Sequence, residues 1–179
     1  MAHAWHDIPL NLSGKLDVFP AVIEVPQGTK TKYELDKETG FLRADRVLFS
    51  AMVYPSNYGF IPRTLAEDGD PLDVLVLGQE PIAPLAFLYA RALGGICMQD
   101  EKGLDEKIIC VHVNDPFFND YVDIKQLPPH VIEEMVRFFK DYKVLEGKRV
   151  DVMGPISRDA ALEVIRSAAE RYLRKFSNK

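Results

Sequence analysis

The first two-thirds of the chain carries hydrophobic patterns with the length and period of β-strands. Apolar residues alternate with other residues from Phe19 to Val25, although Pro20 weakens this strand signal. Residues 36–40 have the composition of a turn. Five or more short strands separated by turns favour a small closed barrel. The further strands are predicted at residues 32–35, 41–49, 73–77, 86–96 and 107–113.

The last third has the period of amphipathic helices. Ser157 is a candidate N-cap for the second of two predicted helices. We therefore expect a single domain over residues 1–179, α+β but mainly β, with two helices in its C-terminal half. The apolar stripe of the first helix consists of Ile132, Met135, Phe139 and Tyr142. The stripe of the second consists of Leu162, Ile165, Ala169, Tyr172 and Phe176.

Composition and charge narrow the possible functions. The 179 residues are 47% hydrophobic and 27% charged, which is ordinary for one globular domain. No apolar stretch is long enough to span a membrane and no signal or transit peptide is recognisable, so we expect a cytoplasmic protein without a membrane partner. Cys97 and Cys110 are predicted to be buried free thiols. The net charge of −5 argues against a nucleic-acid partner but leaves a small phosphate ligand possible.

Three carboxylates lie within six residues at Asp68, Asp70 and Asp73, directly before an apolar run. Two unit charges about 4 Å apart repel by roughly 4 kcal/mol at an effective dielectric of about 20, so the cluster favours a bound cation. Oxygen-only ligands suit magnesium, manganese or calcium. The alternative interpretation is a solvated acidic turn ahead of a strand. An EF-hand is disfavoured, because Leu72 stands where that loop needs an acid or Asn.

A second acidic group follows at Asp100 and Asp105, which bracket a turn that contains a glycine. If the stretch is extended, alternation places Asp105 and Lys107 on the same strand face. By itself this pattern is typical of a solvated hairpin tip. Beside the first cluster, it could supply further ligands to a site that binds several metal ions.

Several cations and tyrosines could bind an anion near these acids. Lys32 would share a strand face with Glu34, and Arg46 suits phosphate because its planar guanidinium can bond two oxygens. Residues 54–60 are interpreted either as an aromatic loop over one end of the barrel or as a source of tyrosine donors. Tyr142 either continues a helical apolar stripe or acts with Lys143. For isolated cations, the alternative is a solvated side chain.

Taken in order, these residues resemble the soluble family I inorganic pyrophosphatases of the bacterial type. The acidic motif stands as D-G-D-P-L-D-V at residues 68–74, and the resemblance covers about residues 18–145. The other matching segments lie at residues 23–26, 32–34, 45–46, 54–59, 100–107 and 138–143. The resemblance implies a five-stranded, OB-like closed barrel and a homo-oligomer, which for short bacterial chains is a hexamer.

The resemblance also implies an activity and a role for each residue. The reaction is Mg²⁺-dependent hydrolysis of pyrophosphate to two phosphates, by direct attack of a metal-activated water and without a phosphoenzyme. Several Mg²⁺ ions bind in each site, and Mn²⁺ can substitute. Asp70 is implied as the general base. The implied metal ligands are Asp68, Asp73, Asp100 and Asp105. The implied substrate-binding residues are Lys32, Arg46, Tyr58, Lys107, Tyr142 and Lys143. The implied supporting residues are Glu24, Glu34 and Tyr54.

Three other functions are weighed against this one. An OB-like module that binds single-stranded nucleic acid would need a basic groove with exposed aromatic side chains, which the net charge disfavours. A phosphohydrolase acting on nucleotides would need a pocket that stacks on a base, which the sequence neither reveals nor excludes. A structural calcium-binding protein is disfavoured by the imperfect loop pattern and by the accompanying Lys, Arg and Tyr residues.

Overall fold

Five of the eight strands close into a ring. The computed structural model describes residues 3–12, 16–100 and 103–176, and the side chain of Asp100 lies outside that description. Strands β1, β4, β5, β7 and β6 pair in that order, and β6 pairs back to β1. The predicted OB-like barrel is therefore confirmed. In chain order the strands are β1 (Phe19–Val25), β2 (Thr31–Leu35), β3 (Leu42–Val47), β4 (Asn57–Phe60), β5 (Asp73–Leu77), β6 (Phe87–Asp100), β7 (Gly103–His112) and β8 (Asp151–Ile156).

Three further parts are attached to this ring. Strands β2 and β3 form a separate antiparallel hairpin, and β8 extends the barrel sheet by pairing with β6. The two predicted helices are confirmed as α1 (Pro129–Asp141) and α2 (Arg158–Phe176). Ser157 precedes α2, and its hydroxyl accepts a hydrogen bond from the backbone N–H of Ala160 at 3.3 Å, as expected of an N-cap.

Strand β5 shows how the two helices enclose the barrel. Its side chains alternate between two buried clusters, with Val74 and Val76 in the cluster that includes α2. Leu75 and Leu77 belong to the cluster that includes α1. Since both faces of the strand are covered, the sequence is continuously apolar rather than alternating. The strand begins at Asp73, so the last acidic residue of the cluster is placed at the edge of the core.

The structure differs from the prediction in two strands. Residues 57–60 were expected in a loop, but they form β4, where a side chain at Gly59 would lie 1.8 Å from the Val22 carbonyl oxygen. The close approach of β1 therefore requires glycine and removes the apolar signal. Strand β8 was not predicted, because it contains Gly154 and Pro155.

Two sequence predictions about the surface and interior are also resolved. Cys110 is a buried free thiol as predicted, whereas the free thiol of Cys97 is only partly buried. In the part of the chain that the structure describes, none of the helices combines the length and apolar character needed to cross a bilayer.

Candidate active site

A cavity of about 740 Å³ lies between the barrel and the β2–β3 hairpin. It is lined by thirteen of the fourteen candidate site residues, and the remaining one, Asp100, has a side chain outside the described part of the structure. Residues from six strands, from two loops and from the segment after α1 therefore meet at one place. The thirteen are Glu24, Lys32, Glu34, Arg46, Tyr54, Tyr58, Asp68, Asp70, Asp73, Asp105, Lys107, Tyr142 and Lys143.

We call the side chains contributed by the barrel strands the floor of the cavity: Glu24, Tyr58, Asp73, Asp105 and Lys107. The ammonium nitrogen of Lys107 lies 2.5 Å from Oδ2 of Asp73 and 3.1 Å from Oδ1 of Asp105. It is 3.3 Å from the hydroxyl of Tyr58, which donates to the same oxygen of Asp73. Strands β5 and β7 run parallel side by side, and Asp105 and Lys107 share a strand face as predicted. The floor thus holds two carboxylates around one cation.

Burial disfavours the charged forms of Lys107 and Glu24 on the floor. For Lys107, burial lowers the pKa, but the carboxylates of Asp73 and Asp105 outweigh burial and raise the pKa well above its usual value. Burial raises the pKa of Glu24 to about 8, and the charge of Asp73 adds to the increase. The backbone N–H of Leu35 opposes it by donating to Oε1 of Glu24 at 2.7 Å. An additional positive charge here would allow Glu24 to ionise.

The turn at residues 68–70, which we call the acidic loop, carries two more carboxylates beside the floor. Gly69 adopts a left-handed φ of +89°, and the backbone N–H of Asp70 donates to Oδ1 of Asp68 at 3.0 Å. Burial raises the pKa of Asp68, with a smaller contribution from neighbouring carboxylates, while its bond from Asp70 opposes the increase. Oδ1 of Asp70 forms an ion pair with Lys37.

Opposite the floor, the hairpin and the turn after α1 form what we call the rim: Lys32, Glu34, Asp45, Arg46 and Glu146. Lys32 forms an ion pair with Glu34. The guanidinium of Arg46 lies 2.8 Å from Glu146 through Nε and 2.5 Å from Asp45 through Nη1. For Glu34, burial raises the pKa, but the hydrogen bond and charge of Lys32 outweigh it and lower the pKa overall. The acids of the rim are therefore already paired with cations.

Aromatic side chains form one wall of the cavity. The ring of Phe138 packs 4.9 Å from Tyr54 and 5.2 Å from Tyr142, measured between ring centroids. Burial raises the pKa of Tyr142 to about 12 and that of Tyr58 well above its usual value. Both phenols are consequently protonated at neutral pH. The Tyr142 hydroxyl can donate a hydrogen bond to an anion, whereas the Tyr58 hydroxyl already donates to Asp73. The ammonium of Lys143 lies 5.2 Å from the Tyr142 ring.

The donor chemistry of the floor and the acidic loop fits a hard divalent cation. Asp73 and Asp105 already share one positive charge, and the remaining donors nearby are carboxylate oxygens, which suit Mg²⁺ and Mn²⁺. Within residues 3–12, 16–100 and 103–176, three or more acid, His or Cys side chains are not gathered at metal-binding distances. A metal ion at Asp73 would therefore compete with Lys107 for the carboxylate.

Sequence reasoning missed several residues at this cavity. Lys37 pairs with Asp70, and Glu146 holds Arg46, although neither was a candidate. Lys148 and Arg149 also line the cavity. These four residues are recognisably charged in the sequence, but a charged residue on a turn is usually solvated. The sequence pattern does not indicate which distant residue each of them contacts.

Comparison with known proteins gives a consistent result. The family model described as inorganic pyrophosphatase matches residues 21–173, so the match begins after the N-terminal segment. Soluble inorganic pyrophosphatase 1 of Arabidopsis thaliana is 50% identical over 171 residues, which are 96% of this chain and 80% of that protein. Soluble inorganic pyrophosphatase 2 of Chlamydomonas reinhardtii is 48% identical over 172 residues, covering 96% of this chain and 88% of that protein.

A solved structure has the same fold. The crystal structure of inorganic pyrophosphatase from Thermus thermophilus superimposes with a TM-score of 0.90 at 44% sequence identity. The alignment covers 96% of this chain and 99% of that one.

Proposed function

The chain belongs to the inorganic pyrophosphatase family, which makes it a metal-dependent inorganic diphosphatase, and we propose that its cation is Mg²⁺ and its catalytic unit the single domain 1–179. The observation that supports the proposal is the cavity itself. Carboxylates around Lys107 on the floor face the cations Lys32 and Arg46 on the rim. Nine acidic and eight basic residues line the space, so the side chains nearly balance one another. Pyrophosphate is a small, highly charged anion, and added cations are needed to offset its charge.

We assign the metal-binding role to Asp68, Asp73 and Asp105, together with Asp100. Glu24 and Glu34 would support the metal ions through water. When bound, Mg²⁺ or a substituting Mn²⁺ would neutralise phosphate charge and lower the pKa of a water molecule.

Asp70 is assigned as the general base. Its Oδ1 is engaged by Lys37, which leaves Oδ2 to accept the proton of the attacking water. The water then attacks one phosphorus directly, and the second phosphate leaves without a covalent enzyme intermediate. Asp70 is suited to this role because its side chain is partly exposed on the acidic loop, beside the carboxylates of the floor but outside the group around Lys107.

The remaining candidates bind the phosphates. Arg46 offers a planar fork to two oxygens, and its position is set by Asp45 and Glu146. The shared role of these phosphate-binding residues is to stabilise the charge on the leaving phosphate and on the equatorial oxygens. The set consists of Lys32, Arg46, Tyr58, Lys107, Tyr142 and Lys143, with Tyr54 packed beside them.

We further propose a cytoplasmic homo-oligomer, with the hexamer as the expected assembly and neither nucleic acid nor membrane as a partner. The support is the pair of half-exposed rings of Phe87 and Tyr89 on β6, whose centroids lie 6.2 Å apart. Such a patch is typical of a contact between chains. Size-exclusion chromatography coupled to light scattering would measure the mass of the assembly directly. A monomer at micromolar concentration would refute the proposal.

The function is tested by measuring phosphate release from pyrophosphate with and without Mg²⁺. We expect rapid release with Mg²⁺, little release in the presence of a chelator, and little competition by a nucleoside triphosphate. Release that prefers the nucleoside triphosphate would instead identify a nucleotide hydrolase. Absence of release with any divalent cation would favour a binding module or a structural calcium-binding protein.

A further inference from the structure

The N-terminal segment, residues 3–7, is fastened beside the acidic loop. The indole of Trp5 is only 3% exposed and its Nε1 donates to the carbonyl of Thr64 at 2.8 Å. The hydroxyl of Thr64 accepts from the backbone N–H of Leu72 at 2.9 Å. Leu72 stands between Asp70 and Asp73 in the chain, so two hydrogen bonds, both made to Thr64, join the segment to the residues directly after the acidic loop.

His3 extends this connection to the turn between β2 and β3. Its Nε2 lies 3.1 Å from the carbonyl oxygen of Lys37, and its Nδ1 lies 3.3 Å from the backbone nitrogen of Trp5. Since a carbonyl only accepts, Nε2 donates and Nδ1 accepts, which is one neutral tautomer. The ring also packs on Gly40, where an added Cβ would be 3.1 Å away. The backbone carbonyl of Asp36 closes the turn by accepting from the N–H of Gly40 at 2.8 Å, so His3 contacts a turn that is hydrogen-bonded across its two ends.

Lys37 carries the contact onward to the proposed base. Its ammonium pairs with Oδ1 of Asp70 and lies 3.4 Å from the carbonyl oxygen of Gly69. The side chains of Lys37 and Asp70 are 46% and 40% exposed. An exposed ion pair contributes little by itself and does not fix the long lysine side chain. The position of Lys37 therefore also depends on the turn that carries it. That turn is closed by its own hydrogen bonds at Asp36, and His3 contacts it from outside at Lys37 and Gly40.

We propose that His3 is a positioning residue for the reaction. By holding the turn at residues 36–40, it keeps Lys37 on Oδ1 of Asp70 and leaves Oδ2 to take the proton. His3 acts through Lys37 and does not contact the substrate. The inference rests on the proposed role of Asp70 as the general base.

The test compares kinetic constants for pyrophosphate hydrolysis with Mg²⁺. We expect His3→Ala to lower kcat about tenfold with little change in KM, well short of the roughly 10²-fold loss that a misplaced catalytic group can cause. His3→Gln should recover most of the activity, because its amide nitrogen can donate to the Lys37 carbonyl. His130→Ala is the matched control, since that imidazole is 85% exposed on α1. An unchanged kcat in a folded His3→Ala protein would overturn the proposal.

A double-mutant cycle separates positioning from a merely structural role. Lys37→Met should lower kcat by the same factor as His3→Ala, and the double variant should show no further loss. Equal losses from His3→Ala with and without Lys37 would contradict the proposal, as would normal kcat in Lys37→Met. Wild-type hydrolysis, together with its loss in Asp70→Asn, reports on the proposed function separately, so the two failures can be distinguished.

Discussion

Glu24 on the floor of the cavity and Glu34 on the rim have pKa values shifted in opposite directions. On the floor, burial raises the pKa of Glu24 to about 8. On the rim, burial acts on Glu34 in the same direction, but Lys32 reverses it and the pKa falls. The difference lies in the partners: Lys32 forms an ion pair with Glu34, whereas Glu24 accepts a hydrogen bond from the backbone of Leu35, and Lys107 on the floor is paired with Asp73 and Asp105.

This contrast separates two tasks within one cavity. The floor has more carboxylate than its single ammonium can neutralise, which favours additional cations. The acids of the rim form ion pairs that position Lys32 and Arg46. Glu34 pairs with Lys32, and Asp45 and Glu146 pair with Arg46. A cationic rim opposite a cation-accepting floor suits a small anion held from both sides. Substitutions on each side should therefore fail in different ways.

The largest expected effect comes from Asp73→Asn on the floor. The change removes a proposed metal ligand and one of the two charges that neutralise buried Lys107. We expect kcat to fall about 10³-fold, since metal assistance supplies several kcal/mol and each 1.4 kcal/mol is tenfold. The free energy of unfolding should fall by roughly 1–3 kcal/mol, because Lys107 loses a partner. Magnesium titrations and denaturant unfolding measure the two effects.

Asp151→Asn is the control for this substitution, because Asp151 makes the same change of charge at an exposed position on β8. It should leave kcat and the magnesium dependence as they are. Unchanged magnesium dependence in Asp73→Asn would remove that residue from the proposed metal site.

A somewhat smaller effect is expected for Asp70→Asn, which lies outside the group around Lys107. Loss of a general base lowers turnover by at least about 10²-fold, and we expect a loss near that lower end because the ligands on the floor are retained. We therefore expect kcat to fall with little change in magnesium affinity and stability. The measurement is kcat across pH 6–9 at saturating Mg²⁺, because a general base acts most effectively when its pKa lies near the working pH. A near-normal rate over that range would exclude Asp70 as the base.

How well each region could be predicted follows from how local its determinants are. The acidic motif at residues 68–73 and the apolar run after it are contiguous, and Asp105 with Lys107 needed only strand alternation. The acidic loop and these residues of the floor were therefore recognised as candidates from the sequence. A small closed barrel was also predicted, because four of its five strands have recognisable hydrophobic patterns and turns, and the family resemblance implied the number of five strands.

The rim depended on contacts that sequence patterns do not encode. Arg46 and Glu146 are 100 positions apart and meet only because the hairpin folds over the segment after α1. The His3 ring and the backbone carbonyl of Lys37 are likewise in contact although they are 34 positions apart. Strand β4 was missed for a related reason, since Gly59 is required by the backbone of a neighbouring strand. In each case the determining partner is distant in sequence.

On the rim, Arg46→Ala should affect substrate binding more than stability. The side chain offers two oxygens of a phosphate a charged, planar donor, so we expect kcat/KM to fall about 10- to 100-fold, which corresponds to roughly 1.4–3 kcal/mol. The free energy of unfolding should change little, because the residue is partly exposed. The measurement is the pair of constants kcat and KM for pyrophosphate. Arg166→Ala, at an exposed position on α2, is the control, and wild-type kinetics in Arg46→Ala would place that side chain outside the substrate site.

The smallest expected effect concerns stability and tests the floor without reference to catalysis. The pKa of Glu24 rises from 4.5 to about 8 on folding, so between these values the folded state holds a proton that the unfolded state has released. Stability from this group is fully present below pH 4.5 and is lost as pH rises through about 8. Glu24→Gln keeps the acceptor for Leu35 but cannot ionise, so its melting temperature should decline less over this range, by several degrees at about 2–4 °C per kcal/mol. The scan is made with a chelator present, and Glu170→Gln on the exposed face of α2 is the control. Parallel curves for wild type and Glu24→Gln would mean that the floor does not hold this carboxyl in its neutral form.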